Sequence, residues 1–227
     1  MRINADFTRR AVVTPEQHEW VASPQGGVER VMLDRVGAEK ARATSLVRYA
    51  QGSHFPPHEH PGGEEILVLS GTFSDESGDF PAGWYVRNPP GSAHRPSSEP
   101  GATIFVKLWQ MPPEDDHHVR VDTNDPAAWH RQGEGRETCP LFESATERVC
   151  LERLAAGLAL PLEATRGVEL LVLDGELSLD GEAPGQTLSK GSWMRLPVGD
   201  TPRLLTGADG VTCYLKRDHL GEILAPE

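Results

Sequence analysis

The sequence predicts an all-β chain built from two copies of one β domain. Three observations carry this. Apolar residues come in runs of strand length, most of them bounded by Gly, Pro, Asp or Ser. Gly and Pro are abundant, at 23 and 19 residues, which supplies the many turns a chain of short strands needs. Three segments recur in the same order along the chain.

Taken in order, the strand candidates of the first half are "RVML" at 30, "TSLVRY" at 44, "EILVLSG" at 65 and "TIFVKLW" at 103. Residues 111–140 are polar, charged and poor in β signal, so they read as a long connection. "DPAAW" within it offers one helical turn, with Asp125 as cap and Pro126 in first place. "ERVCLERLAAGLAL" at 147 reads as strand, turn and strand, and "VELLVLDG" at 168 and "TCYLK" at 212 as further strands.

The repeat organises these pieces. "EEILVLSGTF" at 64 returns as "VELLVLDGEL" at 168, "GWYVRNPPG" at 83 as "GSWMRLPVG" at 191, and "GATIFVKL" at 101 as "GVTCYLKR" at 210. The copies span roughly residues 28–110 and 147–217, and the composition shift divides the chain into domains 1–125 and 126–227. Leu67 and Leu69, with Leu170 or Val172 in the other copy, are read as outward apolar positions. Strands apolar on both faces expect a layer on each side.

The net charge of −12, with no basic cluster beyond Arg9-Arg10, argues against nucleic-acid binding. Cys139, Cys150 and Cys213 are too few and too scattered for a disulfide framework, and they read as small buried apolar residues. No run approaches the length of a membrane span, and the N-terminus has no apolar leader. The expectation is a soluble, cytoplasmic protein.

Chemistry concentrates in "PPHEHPGGEEILVLSG". On a strand His58 and His60 share one face and Glu59 takes the other. Glu64 opens the next strand after a "PGG" turn, and His94 follows a Pro-Pro-Gly turn downstream. Imidazoles with a carboxylate suit Zn, Fe, Ni or Mn and disfavour Ca or Mg. Glu59 and Glu65 fall on the opposite face. His54, His117, His118 and His130 read as surface residues, and the acids of "SDESGD" as turn formers.

At these residues the sequence resembles the cupin superfamily. Gly52, His58, His60, Glu64 and Gly71 fit its first motif, G-x5-H-x-H-x3-E-x6-G. Gly83, Pro89, Gly91 and His94 fit its second, G-x5-P-x-G-x2-H-x3-N, with Ser98 in place of the Asn. The resemblance implies two double-stranded β-helix (jelly-roll) barrels. It also implies one divalent transition metal per chain, zinc first, held by His58, His60, Glu64 and His94. "HPGGEE", "SDESGDFPAG" and "PPGSAHRPSS" further resemble the cupin domain of ChrR-type anti-sigma factors, which binds zinc and serves in stress responses. That family carries a helical anti-sigma domain with its own His/Cys zinc site. The short segment ahead of residue 28 shows no such pattern.

In the second copy Val168 stands opposite Glu64, Glu169 opposite Glu65, Pro202 opposite His94, and Glu163 and Thr165 opposite His58 and His60. That barrel is expected to bind no metal by this route. Three readings remain open: a stress- or ligand-sensing regulatory module with a protein partner, a metal-dependent dioxygenase acting on a small diketone-like substrate, or a bicupin whose metal mainly stabilises the barrel. The first two would take a small molecule at the metal; a closed structural site would leave no open position. The two barrels either replace the usual cupin dimer or pair again as a homodimer.

Overall fold

The computed structural model describes all residues except 25, 39, 163–165, 180–186 and 227. In chain order the strands are β1 (Arg2–Ile3), β2 (Ala11–Val13), β3 (Val21–Ala22), β4 (Val28–Gly37), β5 (Ala41–Tyr49), β6 (Ser53–His54), β7 (His58–His60), β8 (Glu64–Asp75), β9 (Gly78–Pro81), β10 (Trp84–Asn88), β11 (Ser92–His94), β12 (Ser97–Ser98), β13 (Ala102–Leu108) and β14 (Val119–Asp122). They continue as β15 (His130–Gly133), β16 (Arg136–Glu143), β17 (Arg148–Leu154), β18 (Val168–Leu179), β19 (Thr187–Ser189), β20 (Trp193–Leu196) and β21 (Leu204–Arg217). The helical segments among the described residues are two 3₁₀ turns, Pro15–Gln17 and Pro126–Ala128. None is long and apolar enough to cross a membrane.

The chain forms two compact units, the first of Met1–Ala5, Glu19–Asn124 and Leu224–Glu227, the second of Asp6–His18 and Asp125–Ile223. The units depart from a division into 1–125 and 126–227 at both ends of the chain, and by one residue at Asp125. Residues 6–18 cluster with the second unit because β2 pairs with β20, Val13 against Trp193. β2 flanks β20 as β14 flanks β10, but a three-residue strand outside the matched segments gives no sign in the sequence of the sheet it joins.

Each unit has a long strand as its spine. The first half of β8 lies between β10 and β13, and its second half pairs with β9 and β12. β18 lies likewise between β20 and β21, then pairs with β19. The first core gathers Ile66, Val68, Phe73, Phe80, Val86, Ile104 and Val106. The second contains Val168, Leu170, Val172, Leu177, Met194 and Leu215 among others. Leu170 and Val172 thus face inward, against the outward reading. Strand parity puts buried Leu171, not Leu170, in the place of Leu67.

The matched glycines of the repeat have a steric cause. Gly71 has φ +70° and Gly175 φ +72°. A Cβ would come within 1.9 Å of the Gly101 carbonyl oxygen at Gly71, and within 2.2 Å of the Gly210 carbonyl oxygen at Gly175. Both positions combine the left-handed region with a backbone in contact, which only glycine tolerates.

The polar stretch 111–140 is more structured than its composition suggests. It holds β14, which pairs with β10, and β15 with the start of β16, which form a hairpin. β15 is an edge strand exposed along its length, so it lacks the apolar alternation that betrays a strand. The turn at Pro126 is capped by Asp125, whose carboxylate accepts from the Ala127 amide at 2.9 Å.

Candidate metal centre

β7 and β11 form a small antiparallel ladder of their own, with His94 directly across from His58 and Ser92 across from His60. Cross-strand pairing on one face brings such side chains together. The turn Pro61-Gly62-Gly63 then leads into β8, so Glu64 arrives beside His60. That turn is tightly enclosed: a Cβ on Gly62 would meet Trp109, and one on Gly63 (φ +77°) would meet Met111.

His58, His60 and His94 form the one group of three or more potential ligands found among the described residues, their ligand atoms all within 4.8 Å of one another. His60 Nε2 lies 3.0 Å from His94 Nε2. Glu64 Oε2 lies 3.4 Å from His60 Nε2 and 3.5 Å from His94 Nε2. With bonds of about 2.1 Å, neighbouring ligands on one ion stand about 3.4 Å apart in a tetrahedron and about 3.0 Å in an octahedron. The spacing of His60, His94 and Glu64 matches those edges, and the imidazole–carboxylate set fits a divalent transition metal. His60, Glu64 and His94 are buried, while His58 is exposed.

Hydrogen bonds behind the rings set their tautomers. His58 Nδ1 lies 3.2 Å from the Pro56 carbonyl, and His94 Nδ1 lies 3.2 Å from Asp75 Oδ2. Each Nδ1–H thus has an acceptor, which leaves Nε2 as the lone pair turned toward the cluster. Asn88 donates to Glu64 Oε2 at 3.2 Å, and Arg120 donates to Asn88 Oδ1 at 2.7 Å. Burial lowers the pKa of His60 below the ordinary imidazole value, with the neighbouring His charges adding to it against Glu64. Burial also works against His94, but its bond to Asp75 and the charge of Glu64 raise it on balance.

Asp75, Asn88 and Arg120 escaped the sequence reading. Asp75 is a turn former, as its place in "SDESGD" implies: it accepts from Ser77 N at 2.8 Å. Its second carboxylate oxygen serves His94. The position of Asp75, where β8 runs back past β11, is a tertiary fact with no local signature. Ser98, in the place of the motif Asn, is fully buried and donates to the Thr72 carbonyl at 2.6 Å.

The remaining candidates have other partners. Glu65 is buried on the outer face and lies 3.6 Å from Arg87. Glu59 is exposed. His54 pairs with Glu99, and His117 with Asp115. In the second unit Val168 sits in the apolar core, and Glu169 accepts from Trp193 Nε1 at 2.7 Å with His219 Nε2 at 3.1 Å. Pro202 is half-buried, whereas Glu163 and Thr165 lie outside the described residues. All three cysteines are free and buried.

A cavity of about 400 Å³ opens onto the cluster, with His58, His60, Glu64, Tyr49 and Trp109 in its wall. That volume suits a small molecule. The phenol of Tyr49 is pushed well above its ordinary range by burial and then by the Glu64 charge, so it is a neutral donor.

The comparisons with known proteins agree with this architecture. Residues 8–112 match the family model described as the ChrR cupin-like domain. No curated protein matches the chain. Among solved structures, a candidate dioxygenase from Nostoc punctiforme PCC 73102 superposes with a TM-score of 0.74 at 14% identity, covering 97% of this chain and 87% of that one. The bacterial pirin YhhW of Escherichia coli, solved in complex with nickel(II), gives 0.65 at 14% identity, covering 92% and 98%. The 11S globulin of Wrightia tinctoria gives 0.69 at 9% identity, covering 94% and 84%. At these identities the likeness is one of fold. The chain has a bicupin fold, two cupin barrels in one chain, and its first barrel resembles the ChrR cupin-like domain.

Proposed function

We propose that the first barrel holds one divalent transition metal through His58, His60, Glu64 and His94, and that the chain is a sensing module read out through a small molecule or oxidant at that site. The observation that carries it is the convergence of His60, His94 and Glu64 at ligand-edge spacing beneath a cavity. The match of residues 8–112 to the ChrR cupin-like domain supports a regulatory role. A bound ion would supply Lewis acidity and a coordination position for a ligand oxygen. The chain's own part is to orient that ligand and shield it, with Tyr49 as a hydrogen-bond donor.

A second reading, a metal-dependent dioxygenase, is favoured by the cavity, since a ligand that reaches the ion can also react there. Metal analysis of protein purified without added metal separates the two. Zinc at one per chain, with no O2 uptake in the presence of acetylacetone, supports the sensor. Iron or manganese with O2 uptake supports the enzyme. His58→Ala is expected to lower the bound metal sharply. Glu169→Ala is expected to leave the stoichiometry unchanged; metal loss there, or two metals per chain, overturns the ligand assignment.

A further inference from the structure

The same cavity contains a cation that the metal does not explain. Arg30 of β4 pairs with Val47 of β5, and Val47 pairs with Ile104 of β13. Val47 and Ile104 pack in the first core, so Arg30 stands in a row of inward apolar residues. Arg30 is half-buried and lines the cavity, where an anion would meet its guanidinium. Three other partly or fully buried arginines have carboxylate partners: Arg87 meets Asp115, Arg136 meets Glu152 at 2.9 Å, and Arg10 meets Asp200 at 2.8 Å. Among the described residues Arg30 meets no carboxylate, and its polar partner is the Ser23 hydroxyl at 3.2 Å. Lys40, exposed, also lines the cavity and adds a second positive charge in a chain of net charge −12.

The cavity also has oxygen-seeking groups: the His58–His60–His94 cluster and the hydroxyl of Tyr49, two residues along β5 from Val47. Val47 and Ile104 lie in the wall as well. We infer that the cavity binds a small carboxylic acid carrying a second oxygen donor, its carboxylate on Arg30 and its other oxygen at the histidine end. The planar guanidinium fork matches a carboxylate with two hydrogen bonds, and the apolar wall accommodates a short hydrocarbon middle. The contact at the histidine end rests on the metal reading; the Arg30 subsite does not.

The probes are 4-oxopentanoate, its methyl ester and 2-pentanone, titrated by calorimetry and saturation-transfer NMR against the full chain. The acid is expected to bind, with the ester and ketone at least about tenfold weaker, the loss expected for one charged hydrogen-bonded pair. Arg30→Gln is expected to weaken the acid by a similar factor and leave the ester unchanged, and Arg30→Lys to restore part of the loss. Metal content is measured on the same preparations. Equal binding of acid and ester, equal binding by the wild type and Arg30→Gln, or no binding of the acid at millimolar concentration overturns the subsite. Discrimination for the acid in protein that takes up no metal overturns the metal reading and leaves the subsite standing.

Discussion

The Asp75 carboxylate holds His94 from behind: its Oδ2 lies 3.2 Å from Nδ1, while Nε2 on the far side of the ring lies 3.0 Å from His60. One residue therefore serves two structures. Its other oxygen accepts from the Ser77 amide and hydroxyl and closes the β8–β9 hairpin. Burial opposes the charge on Asp75, but the bonds from His94 and Ser77 prevail and bring its pKa down to about 2. The carboxylate is thus ionised at all ordinary pH and keeps the His94 Nδ1 proton in place.

Removing that acceptor is expected to weaken the metal rather than abolish it. Asp75→Ala frees the ring to rotate and to change tautomer, and loss of such a partner typically costs about 10–100-fold in metal affinity. Competition against a chelator reads the affinity, and metal analysis at saturation should still give one ion per chain. Asp75→Asn keeps an acceptor oxygen and should fall between. Unchanged affinity in the alanine variant would show that His94 is oriented by packing alone.

The fold was legible because its signals are local or repeated. The strands β8 and β18 announce themselves by apolar runs, and their matched glycines by position. The gathering of His58, His60 and His94 beside Glu64 was legible because strand parity and two turns set these residues on convergent paths. What stayed hidden depends on distant chain segments. Asp75 and Arg120 reach the site through tertiary placement. The strands β14 and β15 are short and polar, so periodicity passes over them. Arg30 looks like any surface arginine until its neighbours Val47 and Ile104 are seen to face inward.

The paired glycines give a test of the repeat itself. Gly71→Ala and Gly175→Ala each force a left-handed alanine against a carbonyl oxygen, the first at Gly101 and the second at Gly210. The backbone strain alone costs about 1–3 kcal/mol, and the clash adds to it. Each substitution is expected to destabilise its own unit: amide exchange should accelerate in β8 and β13 for the first, and in β18 and β21 for the second. Gly52→Ala makes the control, since it shares the positive φ but a Cβ there meets nothing within 4 Å. If Gly71→Ala behaves no worse than Gly52→Ala, close backbone approach is not what fixes the glycine.

In the second unit a buried ionic cluster invites a pH test away from any metal ligand. Glu152 of β17 accepts from Arg136 Nε at 3.0 Å and Nη2 at 2.9 Å, from Thr138 at 2.9 Å and from Arg217 at 3.2 Å. Burial would raise its pKa, but the Arg136 and Thr138 bonds and the two guanidinium charges outweigh burial and lower it from 4.5. A carboxylate depressed in the folded state contributes stability that is fully present above its unfolded pKa and is lost as pH falls through the folded one. Glu152→Gln leaves Arg217, itself buried, facing a neutral partner, and breaking such a pair costs about 3 kcal/mol near neutral pH. Below about pH 4.5 the unfolded chain protonates this group before the folded protein does, so the gap between the two proteins should narrow as pH falls toward the lowered folded value. Urea unfolding across pH, read by amide exchange in β16 and β17, measures that gap. A gap that stays constant from neutral pH into the acid range would mean that Glu152 acts through packing and not through its charge.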